Sequence, residues 1–428
     1  MKLNQGQQDI YNLIVEGHNV AVLDSPGGTG KSYLLRRLQE DFGHETLFLS
    51  TTGVSAIAIH GMTFHSAMSL PLGYPTPKDL RTVSEKTQKL FSGDAVKRIV
   101  IDEAGMITTN MWYTFIKRLE RFNKKSRNRD ARNIQVVLFG DLLQLGSINN
   151  GKDYDLSMEH FGTDKYFKMQ EFKDMNFKFR DLLISERHSN PEMKKMLDYI
   201  RKGDNLTEAV NYFNSKCYRY PLPKDVSILT TTNKNVDMYN NRVFNSNPNP
   251  AATIRAAIKG SFEEKEYPCE SVLRLKVGLR VMCLRNDPEE RWVNGSTGVI
   301  TDLSPLGVAV KLDRTGDTHI IEPVEYEKYD YTTIKNEEGV EELTRFVDAT
   351  FEQIPLRQCD AISVHKSQGS TLQEAIIDLS TGAGWATGLT YVALSRLTTI
   401  DGLYLKRKIK LDDIKVCEVT LDWLENRD

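Results

Sequence analysis

The segment Ser25-Pro-Gly-Gly-Thr-Gly-Lys31-Ser32 constrains this chain more than any other. It follows the short apolar run Asn19–Leu23 and opens a helical pattern over Lys31–Glu40. A strand, a turn of small residues and a helix start together aim backbone N–H groups at an anion, so the segment reads as a P-loop for a nucleotide. Gly27, Gly28, Thr29 and Gly30 supply the wrap around the phosphates. Lys31 is then placed for the β- and γ-phosphates of ATP, and the Ser32 hydroxyl for Mg²⁺. Ser25 stands where the pattern usually has its first glycine, and it fits the turn only with a negative φ.

Further short apolar runs at Thr46–Leu49, Arg98–Ile101 and Gln135–Phe139, with a helical Val54–His60 among them, predict a parallel α/β sheet covered on both faces. Leu70–Asp79 carries three prolines and reads as an excursion from that sheet. After Pro191 a second series begins. Val226–Thr231, Ile376–Leu379 and Leu403–Leu405 are its strand candidates, and Asn235–Phe244, Asp360–Lys366 and Tyr391–Leu394 its helices. Val293–Ile354 differs, with Val, Thr and Tyr punctuated by turns at Asn294-Gly295, Leu306-Gly307 and Thr315-Gly316, which predicts a small antiparallel insert. The expected architecture is two α/β domains, 1–190 and 191–428, with inserts at about 68–95 and 293–355.

Arg98-Ile-Val-Ile-Asp102-Glu103 is an apolar strand ending in two acids. Asp102 suits an Mg²⁺ held through water, and Glu103 a general base for the attacking water. Gln144, in Gly140-Asp-Leu-Leu-Gln144, is a candidate sensor of the γ-phosphate. Arg187 and Arg396 are candidate guanidinium donors to the charge that spreads over the phosphoryl oxygens.

The 428 residues carry 56 Lys+Arg against 58 Asp+Glu, a net charge of -2. That balance excludes a histone-like basic protein and leaves room for a local basic groove. Lys117–Arg132 holds eight basic residues against Glu120 and Asp130 and reads as a solvated helix face and loop. Five scattered cysteines form no C-x-x-C pair, which argues against zinc or a redox centre and fits free thiols in a reducing cytoplasm. No apolar run approaches the length of a membrane span, and no signal or transit peptide is expected. No second acidic cluster suggests a nuclease. Trp112 and Trp423 read as core, with Trp292 and Trp385 open.

Taken in order, Ser50-Thr-Thr-Gly-Val-Ser-Ala56, Thr63-Phe-His-Ser66, Ile101-Asp-Glu-Ala104, Gly140-Asp-Leu-Leu-Gln-Leu145, Val364-His-Lys-Ser-Gln-Gly-Ser-Thr-Leu372 and Tyr391-Val-Ala-Leu-Ser-Arg-Leu-Thr-Thr399 resemble the superfamily 1 DNA helicases of the Pif/RecD/Dda-like branch. The resemblance runs from Leu3 to Leu405. It implies two RecA-like domains with ATP between them, an SH3-like β insert in the second and a wedge in the first. Gln7 matches the residue that reads adenine, with Gln5 and Gln8 beside it, and Gly369 falls in the motif linking ATP to DNA. Thr51, Thr52, Thr63, Asn233 and His365 are small donors suited to backbone phosphates, and Phe64 and His65 suit a base. The implied partners are single-stranded and forked or tailed duplex DNA, with replication or repair proteins possible; a monomer and 5′→3′ movement are expected. A P-loop small-molecule kinase would leave everything after Arg187 unexplained. A translocase or protein-displacing remodeller shares the motor parts and stays open.

Overall fold

The computed structural model describes residues 3–71, 73–124, 133–146, 151–183, 188 and 190–427. Helix α1 (Gln5–Val15) starts with a reciprocal capping box between Asn4 and Gln7. The first sheet has six parallel strands: β1 (Val20–Val22), β2 (Thr46–Ser50), β3 (Met62–Thr63), β4 (Arg98–Asp102), β5 (Gln135–Phe139) and β6 (Lys178–Phe179), in the order β3-β2-β4-β5-β1-β6. Alternation along these strands sorts their side chains. Leu47, Leu49, Ile99 and Ile101 enter one core, while Phe48, Val100, Val137 and Phe139 enter the other. Both faces are therefore covered. The helices are α2 (Lys31–Phe42), α3 (Gly53–Ala58), α4 (Phe64–Met68), α5 (Pro77–Arg81), α6 (Glu85–Leu90), α7 (Thr109–Lys124), α8 (Gly151–Phe161) and α9 (Gln170–Lys173).

Helices α5 and α6 form the excursion between β3 and β4. Its brace is Arg118 on α7, which is 1% exposed and donates to the carbonyls of Met68, Asp79 (2.8 Å) and Thr82 (3.3 Å). The reading of Lys117–Arg132 as a solvated face fails at this residue. Only an arginine stem buried along α7, with its head on backbone carbonyls, satisfies both helix and loop. Residues 125–132 lie outside the described residues.

The second domain opens with α10 (Pro191–Lys202), bounded by an Asn190 cap, Pro191 in the first turn and Gly203 at φ +81°. It continues through α11 (Leu206–Cys217), β7 (Ile228–Thr230) and α12 (Asn233–Ser246). An antiparallel region follows: β8 (Ala252–Arg255), β9 (Ala257–Gly260), β10 (Val272–Leu275), β11 (Arg280–Cys283), β12 (Thr297–Ser304), β13 (Gly307–Leu312), β14 (Thr318–Ile321), β15 (Val324–Lys335), β16 (Glu341–Gln353) and β17 (Leu356–Gln358). These make a five-stranded sheet β14-β13-β12-β11-β17, a three-stranded β15-β16-β9 and the pair β10-β8. The insert thus begins near Ala252 rather than Val293. Strands β8 to β11 have only four residues each, too few for alternation to stand out.

The chain then returns through β18 (Ala361–Ser363), β19 (Ala375–Asp378), α13 (Leu389–Leu394), β20 (Leu403–Leu405) and α14 (Glu418–Asn426), giving a second parallel sheet β18-β7-β19-β20. Asp360–Lys366, expected as a helix, contains β18 followed by turns. A short buried apolar run does not distinguish strand from helix by period alone. Trp112 is fully buried, Trp292 is 8% exposed and Trp385 is 46% exposed. Trp423 on α14 reaches back to the first domain, its ring 4.7 Å from that of Phe167.

Candidate active site

The crevice beyond the carboxyl ends of β1, β4 and β5 is where an open parallel sheet collects ligands. Between β1 and α2 the loop turns at Gly28 (φ +85°) and Gly30 (φ +83°), a left-handed conformation that a side chain would strain. Ser25 is not among the positive-φ residues, so the condition set by its side chain is met. Its hydroxyl pairs with that of Thr29 at 2.8 Å, closing the loop on itself. The Lys31 ammonium lies over the loop, donating to the Ser25 carbonyl and to Ser25 Oγ at 3.3 Å. The exposed Ser32 opens α2 beside it. Gln7, 5% exposed, accepts from the Asn4 N–H and donates to the Gly30 carbonyl at 3.2 Å, so it already touches the loop.

At the end of β4, Asp102 Oδ1 and the neighbouring Ser50 Oγ are buried without hydrogen-bond partners. Burial, partly offset by a Glu103 backbone hydrogen bond and Lys31, raises the Asp102 carboxyl above its ordinary range. Glu103 follows with φ +55°. Burial first, then the Asp102 charge, pushes its carboxyl up to about 7, while Lys31 and Arg396 pull the other way. Its backbone carbonyl accepts from Thr51 Oγ1 at 3.1 Å. A base balanced near neutrality beside a cation is the arrangement that proton abstraction from water requires. Among the described residues no three His, Cys, Asp or Glu side chains gather as a metal cage. That agrees with Mg²⁺, which is commonly held by one or two carboxylates plus the substrate's phosphates, and the orphaned Asp102 oxygen fits the role.

Asp141, after β5, accepts from the Gln144 amide at 2.8 Å and from the Leu143 N–H at 3.0 Å. Burial would raise its carboxyl, but Arg201 and Lys31 hold it below the usual range. Arg201 comes from α10 of the second domain. Its Nη2 donates to Asp24 at 2.5 Å and to Asp141 at 2.6 Å. Sequence reasoning passed over Asp24 and Arg201, because one acid beside a P-loop and one base ending an amphipathic helix carry no local signature.

Arg396, 1% exposed, follows α13, and its guanidinium donates to the Val392 carbonyl (3.0 Å), the Ser370 carbonyl (3.4 Å) and Ser395 Oγ (3.0 Å). The Ser370 contact ties it to the loop of Gly369, which lies at φ +82°. Glu103 is thus within electrostatic reach of Asp102, Lys31, Asp141 and Arg396, and Gln144 hangs on Asp141. Arg187 lies outside the described residues.

The candidate DNA residues divide. Thr52 caps α3, accepting from the Ser55 N–H at 3.2 Å, and Thr63 caps α4, accepting from the Ser66 N–H at 3.2 Å. Asn233 is exposed in the first turn of α12. His65 is half-buried on α4. Phe64 corrects the expectation of base stacking: it is fully buried, 5.2 Å edge-to-face with Phe115, and belongs to the core. Helix α4 has only five residues, and Phe64 anchors it in the core together with Ala67 and Met68. His365 instead stacks on the half-exposed Trp385, 5.7 Å apart and 24° from parallel. Both line an open cleft of about 250 Å³ between the domains, with Gln144 and Leu145 on its other wall.

Above α3 and α4 sits the β insert. The tyrosine ring of Tyr329 stacks on His60 at 5.5 Å, Lys86 on α6 pairs with Asp330, and Glu266 packs against Gly53 so closely that a Cβ there would lie 2.8 Å from its Cα. A small cavity of about 20 Å³ remains between them, bordered by Thr63, Ser66 and Lys328.

Comparison with known proteins agrees with this geometry. Residues 2–209 match the PIF1-like helicase family, and residues 265–303 match the 2B domain of DNA helicase Pif1. The chain is 27% identical over 416 residues to the ATP-dependent DNA helicase Pif1 of Bdellovibrio bacteriovorus, covering 95% of this chain and 88% of that protein. Among solved structures it is similar to Bacteroides sp. Pif1 in complex with ADP-AlF4, with 27% identity, a TM-score of 0.88 and coverage of 99% and 97%. Bacteroides Pif1 bound to ssDNA gives 28% identity and a TM-score of 0.67 over 99% and 97% of the two chains. With both matched segments in chain order and the cleft between two parallel-sheet domains in place, the chain belongs to the Pif1-like helicases of superfamily 1.

Proposed function

We propose that this protein is a DNA-stimulated ATPase that translocates along single-stranded DNA, 5′→3′, and unwinds forked or tailed duplex. The observation that carries the reading is the single cleft in which Lys31, Asp102, Glu103 and Asp141 of one domain face Arg396 of the other. Lys31 leaves the Ser25 carbonyl for the β- and γ-phosphates of ATP. Ser32 and Asp102 would hold Mg²⁺, which would supply charge neutralisation at the phosphate oxygens. Glu103, ionised above about pH 7, takes a proton from the attacking water, and that proton leaves with the products. Arg396 steadies the equatorial oxygens, and Arg187 is assigned to the same task.

Because the arginine comes from the second domain, hydrolysis requires the cleft to close, and product release lets it open. Thr51, Thr52, Thr63, His65, Asn233 and His365 grip the strand by its backbone, so movement is independent of sequence. We place it as a monomer in a reducing cytoplasm, where five free thiols such as these persist.

The test is ATP-dependent strand separation on matched duplexes with a 5′ or a 3′ single-stranded tail, with Lys31→Ala as control. Opening of the 5′-tailed duplex alone, lost in the variant, is the expected result. Opening of the 3′-tailed duplex alone refutes the direction. Hydrolysis stimulated by DNA without opening of either refutes unwinding and leaves a translocase.

A further inference from the structure

The Arg201 guanidinium crosses the cleft. Arg201 stands in the last turn of α10, whose Met193, Met196, Leu197 and Ile200 lie in the second domain's core. The residue is 2% exposed, and its Nη2 is shared between Asp24 and Asp141 of the first domain. Both acids sit at the ends of nucleotide-site loops. Asp24 immediately precedes Ser25, whose carbonyl holds Lys31. Asp141 holds the Gln144 amide through its other oxygen. On its far side the guanidinium lies 5.9 Å from the ring of Tyr391, on the helix that leads to Arg396.

The surrounding contacts leave this bridge little slack. Gly388, which starts α13, approaches the Gln144 loop so closely that a Cβ would meet the Leu143 carbonyl at 2.8 Å. Leu145 from that loop is buried in the second domain's core. Arg201 Nε and Nη1 are buried with no hydrogen-bond partner. A single nitrogen that spans two carboxylates is held by charge, and it follows either acid when the cleft changes width.

We propose that Arg201 is a positioning residue that carries cleft closure to the γ-phosphate sensor: it fixes Asp141, Asp141 aims Gln144, and through Asp24 the same guanidinium sets the entry to the P-loop. This rests on the reading of the protein as a DNA-stimulated ATPase. Arg201 itself touches neither water nor phosphate in this scheme. It makes the position of α10 readable at Gln144, so DNA gripped across both domains raises turnover.

The experiment measures kcat and KM for ATP, with and without single-stranded DNA, for the full chain and for Arg201→Met, Arg201→Lys, Gln144→Ala and the double variant Arg201→Met/Gln144→Ala. Arg201→Met is expected to lose about 5- to 150-fold of DNA-stimulated kcat, the usual span of coupling between sites, with KM for ATP little changed. Arg201→Lys recovers part of the loss, since a point charge replaces the fork. In the Gln144→Ala background the arginine change adds little, because the two act as one unit. Full stimulation in Arg201→Met overturns the proposal. So do effects that multiply in the double variant, or equal loss of cooperative melting and fluorescent-ADP binding in the Met and Lys variants, which would mark a purely structural bridge. A wild-type ATPase that ignores DNA overturns the proposed function, and this inference with it.

Discussion

Replacing Glu103 by glutamine should stabilise the nucleotide-free protein while stopping hydrolysis. The carboxyl is pushed from its ordinary 4.5 up to about 7, chiefly by burial and then by the Asp102 charge. At about 1.4 kcal/mol per pH unit, its ionised form costs the fold on the order of 3 kcal/mol. The pH window follows from the sign. Below about pH 4.5 the group is neutral folded and unfolded, so the cost is absent; it grows as pH rises through 7, because the folded state binds the proton more tightly than the unfolded one. Glutamine carries no charge at any pH. The stabilising effect of Glu103→Gln should therefore be about 2–3 kcal/mol larger at pH 8 than at pH 5, which for a domain of roughly 200 residues is about 2–4 °C in Tm per kcal/mol. Thermal melts of the two proteins without nucleotide, at both pH values, measure this directly. A Tm difference that is the same at pH 5 and pH 8 refutes the claim that this carboxylate is held at a cost. Such a cost is what an active site exacts when it keeps a base ready near neutral pH.

The same carboxyl sets the pH–rate profile: kcat/KM for ATP should fall about tenfold per pH unit below an apparent pKa near 7, and a flat profile down to pH 5.5 would exclude Glu103 as the base. Phe64→Ala should cost about 3–5 kcal/mol in denaturant unfolding, as for a fully buried aromatic, whereas His65→Ala should leave unfolding unchanged and weaken single-stranded DNA binding. Trp385→Ala should lower single-stranded DNA affinity by about 1–3 kcal/mol if the His365–Trp385 pair receives a base, measured by fluorescence anisotropy at fixed salt. Unaltered affinity would assign the pair to packing alone.

What the sequence made legible was chemistry tied to local backbone. The P-loop, the acids ending β4 and the Gln144 turn each depend on a strand end, and strand ends are marked by apolar runs meeting small or charged residues. The strands themselves were found to within two residues at Arg98–Asp102, Gln135–Phe139 and Leu403–Leu405. The misreadings share a cause. Phe64 sits in a motif beside His65, yet one faces the core and the other does not, and linear spacing cannot say which. Ala361–Ser363 is buried on every residue, so it has no period to read. Arg118 and Arg201 look like solvated helix charges, and only tertiary contact shows that one braces an insert and the other spans the cleft. Long-range pairing of a charge with partners 40 to 180 positions away leaves no trace in a single chain.

The position of the β insert adds a constraint that neither sheet domain supplies. Its contacts with the first domain include an ion pair at Lys86 and Asp330, a ring stack at His60 and Tyr329, and the close approach of Glu266 to Gly53. Tyr331 of β15 and Leu343 of β16 are buried in the first domain's core, and the Leu343 N–H donates to the His44 carbonyl at 2.8 Å. Lys86 is substantially exposed, and an exposed partner makes an ion pair weak. Thr63 and Ser66 border the cavity beneath. Glu266 there pairs with Lys328 at 2.7 Å, so its charge is already answered within the insert. The insert is therefore anchored on the first domain by apolar burial, with the exposed ion pair a minor part of its hold.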